Sequence, residues 1–252
     1  MLRPVKKSLG QHFLADRNIL EVIGRLAELG PDDVVLEIGP GQGVLTRYLA
    51  ERVGRVHAIE IDRSLEPELR DLPADVDVVF GDALHVELPQ DATKLVANLP
   101  YNVATPLVAE SLDGLPNLAL WCVMVQREVA ERFFARPGTK DYGAVSVLVQ
   151  LAAERTGFHP VSRTVFRPPP NVDSALVAFR RTELPANYPR VKAVVTAAFA
   201  HRRKTLPNSL ALAGLVSRDD AANALAAIVR PPEIRAEALA PAEFLALAEA
   251  LP

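Results

Sequence analysis

From about residue 18 onward, apolar residues recur at helical spacing in some stretches and cluster into short runs in others. Residues 19–29 carry them at helical spacing and stop at Gly30-Pro31, a helix ending. Residues 34–38 read as a buried strand that runs into glycines. A helix is predicted over 44–53, a second strand over 55–61, a third over 76–80 and a fourth over 94–97. Residues 118–125 form a fifth apolar run, followed by an amphipathic helix through Val129, Ala130, Phe133 and Phe134. Short apolar strands interleaved with helices predict an α/β fold, a largely parallel sheet covered on both faces.

The pattern changes near residue 158. Residues 161–166 and 175–180 both read as strands, separated by the turn-rich Arg167-Pro168-Pro169-Pro170-Asn171. Two strands joined without a helix predict an antiparallel hairpin at the sheet edge. After Pro185 the chain becomes alanine- and leucine-rich and helical, with breaks expected near Pro207, Gly214 and Pro231-Pro232. The expected division is therefore an α/β domain over 1–184 and a helical domain over 185–252.

The 252 residues suffice for this arrangement, and 49% of them are hydrophobic, enough for a substantial core. No apolar run reaches the roughly 18 to 20 residues that span a bilayer. The basic N-terminus is not followed by a signal-peptide pattern, so a cytoplasmic location and no membrane partner are expected. The single cysteine, Cys122, sits in an apolar run and reads as a small buried hydrophobe. Five scattered histidines offer no metal spacing, and no metal is expected. A net charge of −3 does not by itself single out nucleic acid, but basic residues cluster at Arg3, Lys6 and Lys7 and again at Arg202, Arg203 and Lys204.

Gly39-Pro40-Gly41-Gln42-Gly43 lies between the first strand and a helix, where glycines allow a tight turn and close approach of a ligand. Glu60 closes the second strand about 20 residues on, where a carboxylate can accept from both ribose hydroxyls. Asp82 follows the third strand, placed to accept from an adenine amino group. Two cofactors fit: a nicotinamide dinucleotide or S-adenosylmethionine. The dinucleotide fingerprint wants Gly or Ala where this chain has Val44, which favours S-adenosylmethionine.

The fourth strand runs into Asn98-Leu99-Pro100-Tyr101. The N6 lone pair of adenine is delocalised into the ring, which makes it a poor nucleophile. An Asn98 side-chain oxygen and the Leu99 main-chain carbonyl can accept both N6 hydrogens and turn the lone pair toward a sulfonium methyl. Pro100 fixes the backbone, and Tyr101 offers a ring on which an extruded base can stack. A sulfonium is a strong electrophile, so no general base is required before transfer. By itself Phe166 reads as a core aromatic.

Five motifs occur in order: Lys7-Ser8-Leu9-Gly10-Gln11-His12-Phe13-Leu14, the loop 37–41, the tetrapeptide 98–101, Phe166-Arg167-Pro168-Pro169-Pro170-Asn171-Val172-Asp173-Ser174, and Arg202-Arg203-Lys204-Thr205-Leu206. Together they resemble the small-subunit ribosomal RNA adenine N6,N6-dimethyltransferases of the KsgA type. That resemblance implies a Rossmann-like S-adenosylmethionine-dependent methyltransferase domain with a seven-stranded, mostly parallel sheet and one antiparallel edge strand. It implies that Gln11, His12 and Leu14 close over the methionine part of the cofactor. Gly39, Gly41, Glu60, Ile61, Asp82, Ala83 and Asn98 are further cofactor contacts by the same resemblance, and Phe166 would stack on the target adenine opposite Tyr101. Arg202, Arg203 and Lys204 would bind RNA. The implied substrate is 16S ribosomal RNA in a pre-formed small ribosomal subunit, dimethylated at two adjacent adenines near its 3′ end, by a monomer that also serves subunit maturation. His12 departs from the Asn common in the family, and Pro207 stands where a basic residue is frequent.

Two other readings compete. A 23S ribosomal RNA adenine methyltransferase conferring macrolide resistance shares the fold and most motifs, but usually carries Ile at the position of Leu99. A non-catalytic ribosome assembly factor would keep the fold without turnover; intact Glu60, Asp82, Asn98 and Tyr101 argue against it.

Overall fold

The computed structural model describes residues 11–252. Arg3, Lys6, Lys7 and the first four residues of the 7–14 motif lie outside them. Contacts divide the chain into two compact units: the chain up to residue 130 with residues 154–181, and residues 131–153 with 182–252.

The first unit opens with β1 (Phe13–Leu14) and α1 (Arg17–Ala27). Asp16 caps α1 by accepting the Asn18 N–H at 2.8 Å, and Ile19, Leu20, Ile23 and Ala27 make its buried face. There follow β2 (Val34–Ile38), α2 (Val44–Ala50), β3 (Arg55–Glu60), α3 (Glu66–Leu69), β4 (Val76–Phe80), β5 (Lys94–Asn98), α4 (Ala104–Gly114) and β6 (Leu120–Gln126). The chain then enters α5 (Arg127–Phe133) and α6 (Ala144–Ala152), and returns through β7 (Ala153–Val161), β8 (Phe166–Arg167) and β9 (Ser174–Arg181). Seven strands form one sheet in the order β4-β3-β2-β5-β6-β9-β7, and β1 pairs antiparallel with β8 in a separate two-stranded ribbon. The pairs β4–β3, β3–β2, β2–β5 and β5–β6 are parallel, while β9 runs antiparallel to β6. The sheet is thus mostly parallel, as expected.

Alternate strand residues explain its two covered faces. Val35, Val56, Val96, Cys122, Met124, Leu176 and Ala178 share one core with α1 and α2. At alternate positions of β6 and β9, Trp121 stacks on Phe179 at 5.2 Å between centroids, and the Trp121 Nε1–H donates to Ser111 of α4. Each fully buried large aliphatic side chain contributes about 1.5–3 kcal/mol relative to exposure, so central strands buried on both faces define the fold. Burial pushes the Cys122 thiol up to about 12, which makes it inert packing, as its place in the sequence suggests.

Two expectations are corrected. The strand after the fifth parallel one spans Ala153–Val161, whereas 161–166 is mostly a 3-10 turn at Arg163–Val165. This edge strand is largely exposed and polar, so its weak apolar signal does not mark it. Second, residues 131–153 pack with the helical tail, so the helical unit is discontinuous and does not simply begin at 185. The expected break near Pro207 is present: residues 201–205 are not helical, and Pro207 then occupies the first turn of α8 (Leu206–Leu212), where its missing N–H has no partner to lose.

The second unit contains α6, α7 (Tyr188–Ala200), α8, α9 (Arg218–Ala227) and α10 (Pro241–Ala250). Its core includes Tyr142, Tyr188, Leu210, Leu225 and Phe244. The buried Tyr142 hydroxyl donates to the Leu239 carbonyl at 2.8 Å, satisfying its one polar atom. No described helix is long and apolar enough to cross a membrane.

Candidate active site

Parallel β2, β3, β4 and β5 all point their carboxyl ends to one edge of the sheet, and the candidate residues follow those ends. After β2, Gly39, Gly41 and Gly43 take φ values of 75°, 58° and 74°. These left-handed conformations disfavour a Cβ, and one on Gly41 would stand 2.9 Å from the Phe13 ring. The loop therefore turns sharply and exposes backbone to a cleft.

Glu60, at the end of β3, is buried. Its Oε2 accepts the Gly41 N–H at 3.0 Å and its Oε1 accepts the Asp62 N–H at 2.9 Å. Burial raises its pKa, against the lowering effect of those two N–H groups. A carboxylate has about four acceptor positions, so these N–H groups leave capacity for a ligand hydroxyl. Asp62 accepts the Gln11 Nε2–H at 2.9 Å, which holds Gln11 beside Glu60.

The tetrapeptide begins at the end of β5. Asn98 is half-buried and donates through Nδ2 to the His12 carbonyl at 3.1 Å. The amide flip that makes this bond leaves Oδ1 as the side chain's acceptor. The Leu99 side chain is buried, and its N–H donates to the Met124 carbonyl at 3.0 Å, which locks the strand exit. Tyr101 is half-buried, with its hydroxyl 2.7 Å from the Ser174 hydroxyl. Burial raises its pKa, partly offset by that bond. The His12 ring stacks on Tyr101 at 5.8 Å between centroids, and His12 Nδ1 lies 2.8 Å from the Pro168 carbonyl.

One cleft gathers Gln11, His12, Leu14, Gly39, Gly41, Glu60, Ile61 and the whole tetrapeptide 98–101. Asp82 and Ala83 line an adjoining cavity that shares Gly39, Glu60, Ile61 and Pro100 with the first. Asp82 is partly exposed; its Oδ1 accepts the Leu84 N–H and its Oδ2 lies 3.0 Å from His85 Nδ1. Those two contacts, the N–H first, hold its pKa below the ordinary value.

Phe166 is the exception. It is fully buried in the core behind β1, where Leu14 pairs with it, so its ring presents no face to a target base. The core reading of Phe166 holds here. The 202–204 cluster lies in the second unit. Arg202, Arg203 and Lys204 are all exposed, and Arg202 also braces a loop by donating to the Tyr142 carbonyl at 2.9 Å and the Lys140 carbonyl at 3.3 Å.

The sequence reading passed over three residues of this region: Asp62, Ser174 and Glu37. Asp62 reads in sequence only as an Asp-x-Ser turn; its role depends on Gln11, 51 positions away. Ser174 ends a recognised motif, but its contact with Tyr101 is set by strand pairing. Glu37 lies in β2 and lines the cleft, and its buried Oε2 has no hydrogen-bond partner among the described residues. Burial pushes its carboxyl up to about 8, with the charge of Glu60 adding to the rise.

A seven-stranded sheet with this order, a glycine turn after β2 and acidic residues at the ends of β3 and β4 define a Rossmann-like S-adenosylmethionine-dependent methyltransferase. The chain belongs to the ribosomal RNA adenine dimethylase family, which it matches over residues 3–251. It is 49% identical over 249 residues to ribosomal RNA small subunit methyltransferase A of Rubrobacter xylanophilus, covering 96% of this chain and 93% of that one. A dimethyladenosine transferase from Plasmodium falciparum superposes with a TM-score of 0.77 at 27% identity, covering 94% and 96% of the two chains. The 23S rRNA methyltransferase ErmE superposes with a TM-score of 0.65 at 31% identity, covering 95% and 99%.

Proposed function

We propose that this protein dimethylates N6 of two adjacent adenines near the 3′ end of 16S ribosomal RNA, acting on the small ribosomal subunit. The observation that carries this reading is the single cleft uniting the glycine turn and Glu60 with Asn98 and Tyr101. The identity to small-subunit enzymes, 49% against 31% for the 23S enzyme, favours the small subunit as target.

The residues fit S-adenosylmethionine. The cleft offers Glu60 acceptors to ribose hydroxyls, Gly39 and Gly41 backbone to the amino-acid end, and the adjoining Asp82 carboxylate to the adenine. When bound, that cofactor supplies an electrophilic methyl on a positively charged sulfur. Asn98 Oδ1 and the Leu99 carbonyl accept the two N6 hydrogens and orient the nitrogen lone pair. Tyr101, fixed through Ser174, stacks against the base. After transfer the alkylated ammonium is acidic, and water takes its proton. Catalysis is thus positioning and electrostatics, with no side-chain base. Gln11, His12 and Leu14 close the cleft, and Arg203 and Lys204 meet RNA phosphates. The protein acts in the cytoplasm, as a monomer and without a metal, and contributes to subunit maturation.

Mass spectrometry of RNA from unmethylated small subunits treated with the protein and S-adenosylmethionine tests this directly. Four added methyl groups on two neighbouring adenines are expected. Methylation confined to 23S RNA would overturn the assignment.

A further inference from the structure

Past Tyr101, the same sheet edge carries a second opening that methyl transfer does not use. Gln126, Arg127, Glu128, Arg163, Asn171 and Asp173 line an open pocket. Strand register fixes its place. Gln126 at the end of β6 is the Cα partner of Ser174 at the start of β9, and the Ser174 hydroxyl lies 2.7 Å from that of Tyr101. One hydrogen bond thus links the residue next to the pocket wall with the ring proposed to hold the reacting base.

Asp173 braces the walls. Its Oδ1 accepts the Arg163 N–H at 3.0 Å, and its carbonyl accepts the Arg127 N–H at 3.1 Å. The Arg163 guanidinium also reaches the Asn171 carbonyl at 3.4 Å. Three short segments are held together before any ligand arrives, and such preorganisation suits a selective site.

The chemistry of the lining indicates what the pocket reads. Two guanidiniums stand with two carboxylates and two carboxamides, so the positive charge that a phosphate site relies on is largely cancelled. Mixed donors and acceptors suit base edges instead: carboxamides pair with the adenine amino group and ring nitrogen, guanidiniums with guanine, and carboxylates accept amino hydrogens. Single-stranded RNA loops present such edges when their bases splay apart. We propose that this pocket seats the base next to the adenine being methylated. The inference rests on the adenine-methylation reading and extends it. While one of two adjacent adenines lies against Tyr101, its neighbour has a seat close by.

A cycle combining protein and RNA substitutions tests the idea. Small subunits are assembled with either adenine of the pair replaced, and methylation of the remaining adenine is measured for the wild-type protein, Arg163→Ala and Asn171→Ala. Both side chains are exposed, and cofactor binding by calorimetry verifies that each variant is folded. Replacing the neighbour should lower wild-type kcat/KM about tenfold. At least one variant should lose a similar factor on the natural pair and lose little more when the neighbour is also replaced. Losses that simply multiply in both variants, or a wild-type protein indifferent to the neighbour, would overturn the subsite. A wild-type protein that methylates no small subunit would sink the parent reading, and the subsite with it.

Discussion

Glu60 and Gly41 are joined by a hydrogen bond of 3.0 Å from the glycine N–H to the carboxylate, so the acid proposed to hold the ribose also fixes the glycine turn beside it. With Asp62 on its other oxygen, Glu60 is oriented before any ligand binds. Glu60→Gln keeps the shape but replaces one acceptor by a donor facing an N–H. Its cofactor Kd should rise about 10–100-fold, because bonds to a charged acceptor contribute roughly 1.5–3 kcal/mol. Calorimetric titration with S-adenosylmethionine checks this; an unchanged Kd would remove Glu60 from the site.

Gly41→Ala should be costly on two counts. The residue has φ 58°, and the new methyl would lie 2.9 Å from the Phe13 ring. A loss of about 1 kcal/mol or more in unfolding free energy is expected, together with weaker cofactor binding. Denaturant unfolding measures the first and calorimetry the second.

Glu37 gives the protein a pH dependence of its own. Its folded-state pKa is raised to about 8 from an ordinary 4.5, so the folded protein holds a proton that the unfolded chain has released between those values. Stability from this group is fully present below about pH 4.5 and is lost as pH rises toward 8, by at most about 1.4 kcal/mol per pH unit. Glu37→Gln removes the titration. The stability difference between variant and wild type should therefore grow in the variant's favour over that window. Unfolding curves at several pH values check it, and parallel profiles would show that Glu37 does not titrate there.

Asn98→Ala removes the proposed acceptor for the reacting amine and the bond to the His12 carbonyl. Turnover should fall by roughly 10²-fold, the order seen when one transition-state contact is lost. Cofactor affinity should change little, since the main loss concerns the amine. Single-turnover methylation and calorimetry separate the two effects.

The basic cluster should divide in two. Arg202→Ala should cost about 1 kcal/mol of stability through its loop carbonyls. Arg203→Ala and Lys204→Ala should leave stability unchanged, weaken small-subunit binding and each reduce the salt slope by about 1. Binding measured across salt concentrations, alongside thermal melts, distinguishes these outcomes.

The sequence by itself determined the parallel strands, since residues 34–38, 55–61, 76–80 and 94–97 carry strand runs bounded by turns. It also determined the candidate chemistry, because the glycine turn, Glu60, Asp82 and residues 98–101 each follow a strand end, and parallel strands bring those ends to one edge. Tertiary structure alone decided what depends on contacts between distant segments. The edge strand 153–161 is too polar to reveal itself, and residues 131–153 join the helical unit through packing that local periodicity does not encode. Phe166 sits in a motif that promises a stacking ring, yet pairing of β1 with β8 buries it. Asp62, Ser174 and Glu37 gained their importance in the same way. Each acts through a partner or an environment supplied by other segments, and burial and hydrogen bonding at such a position are properties of the packed chain.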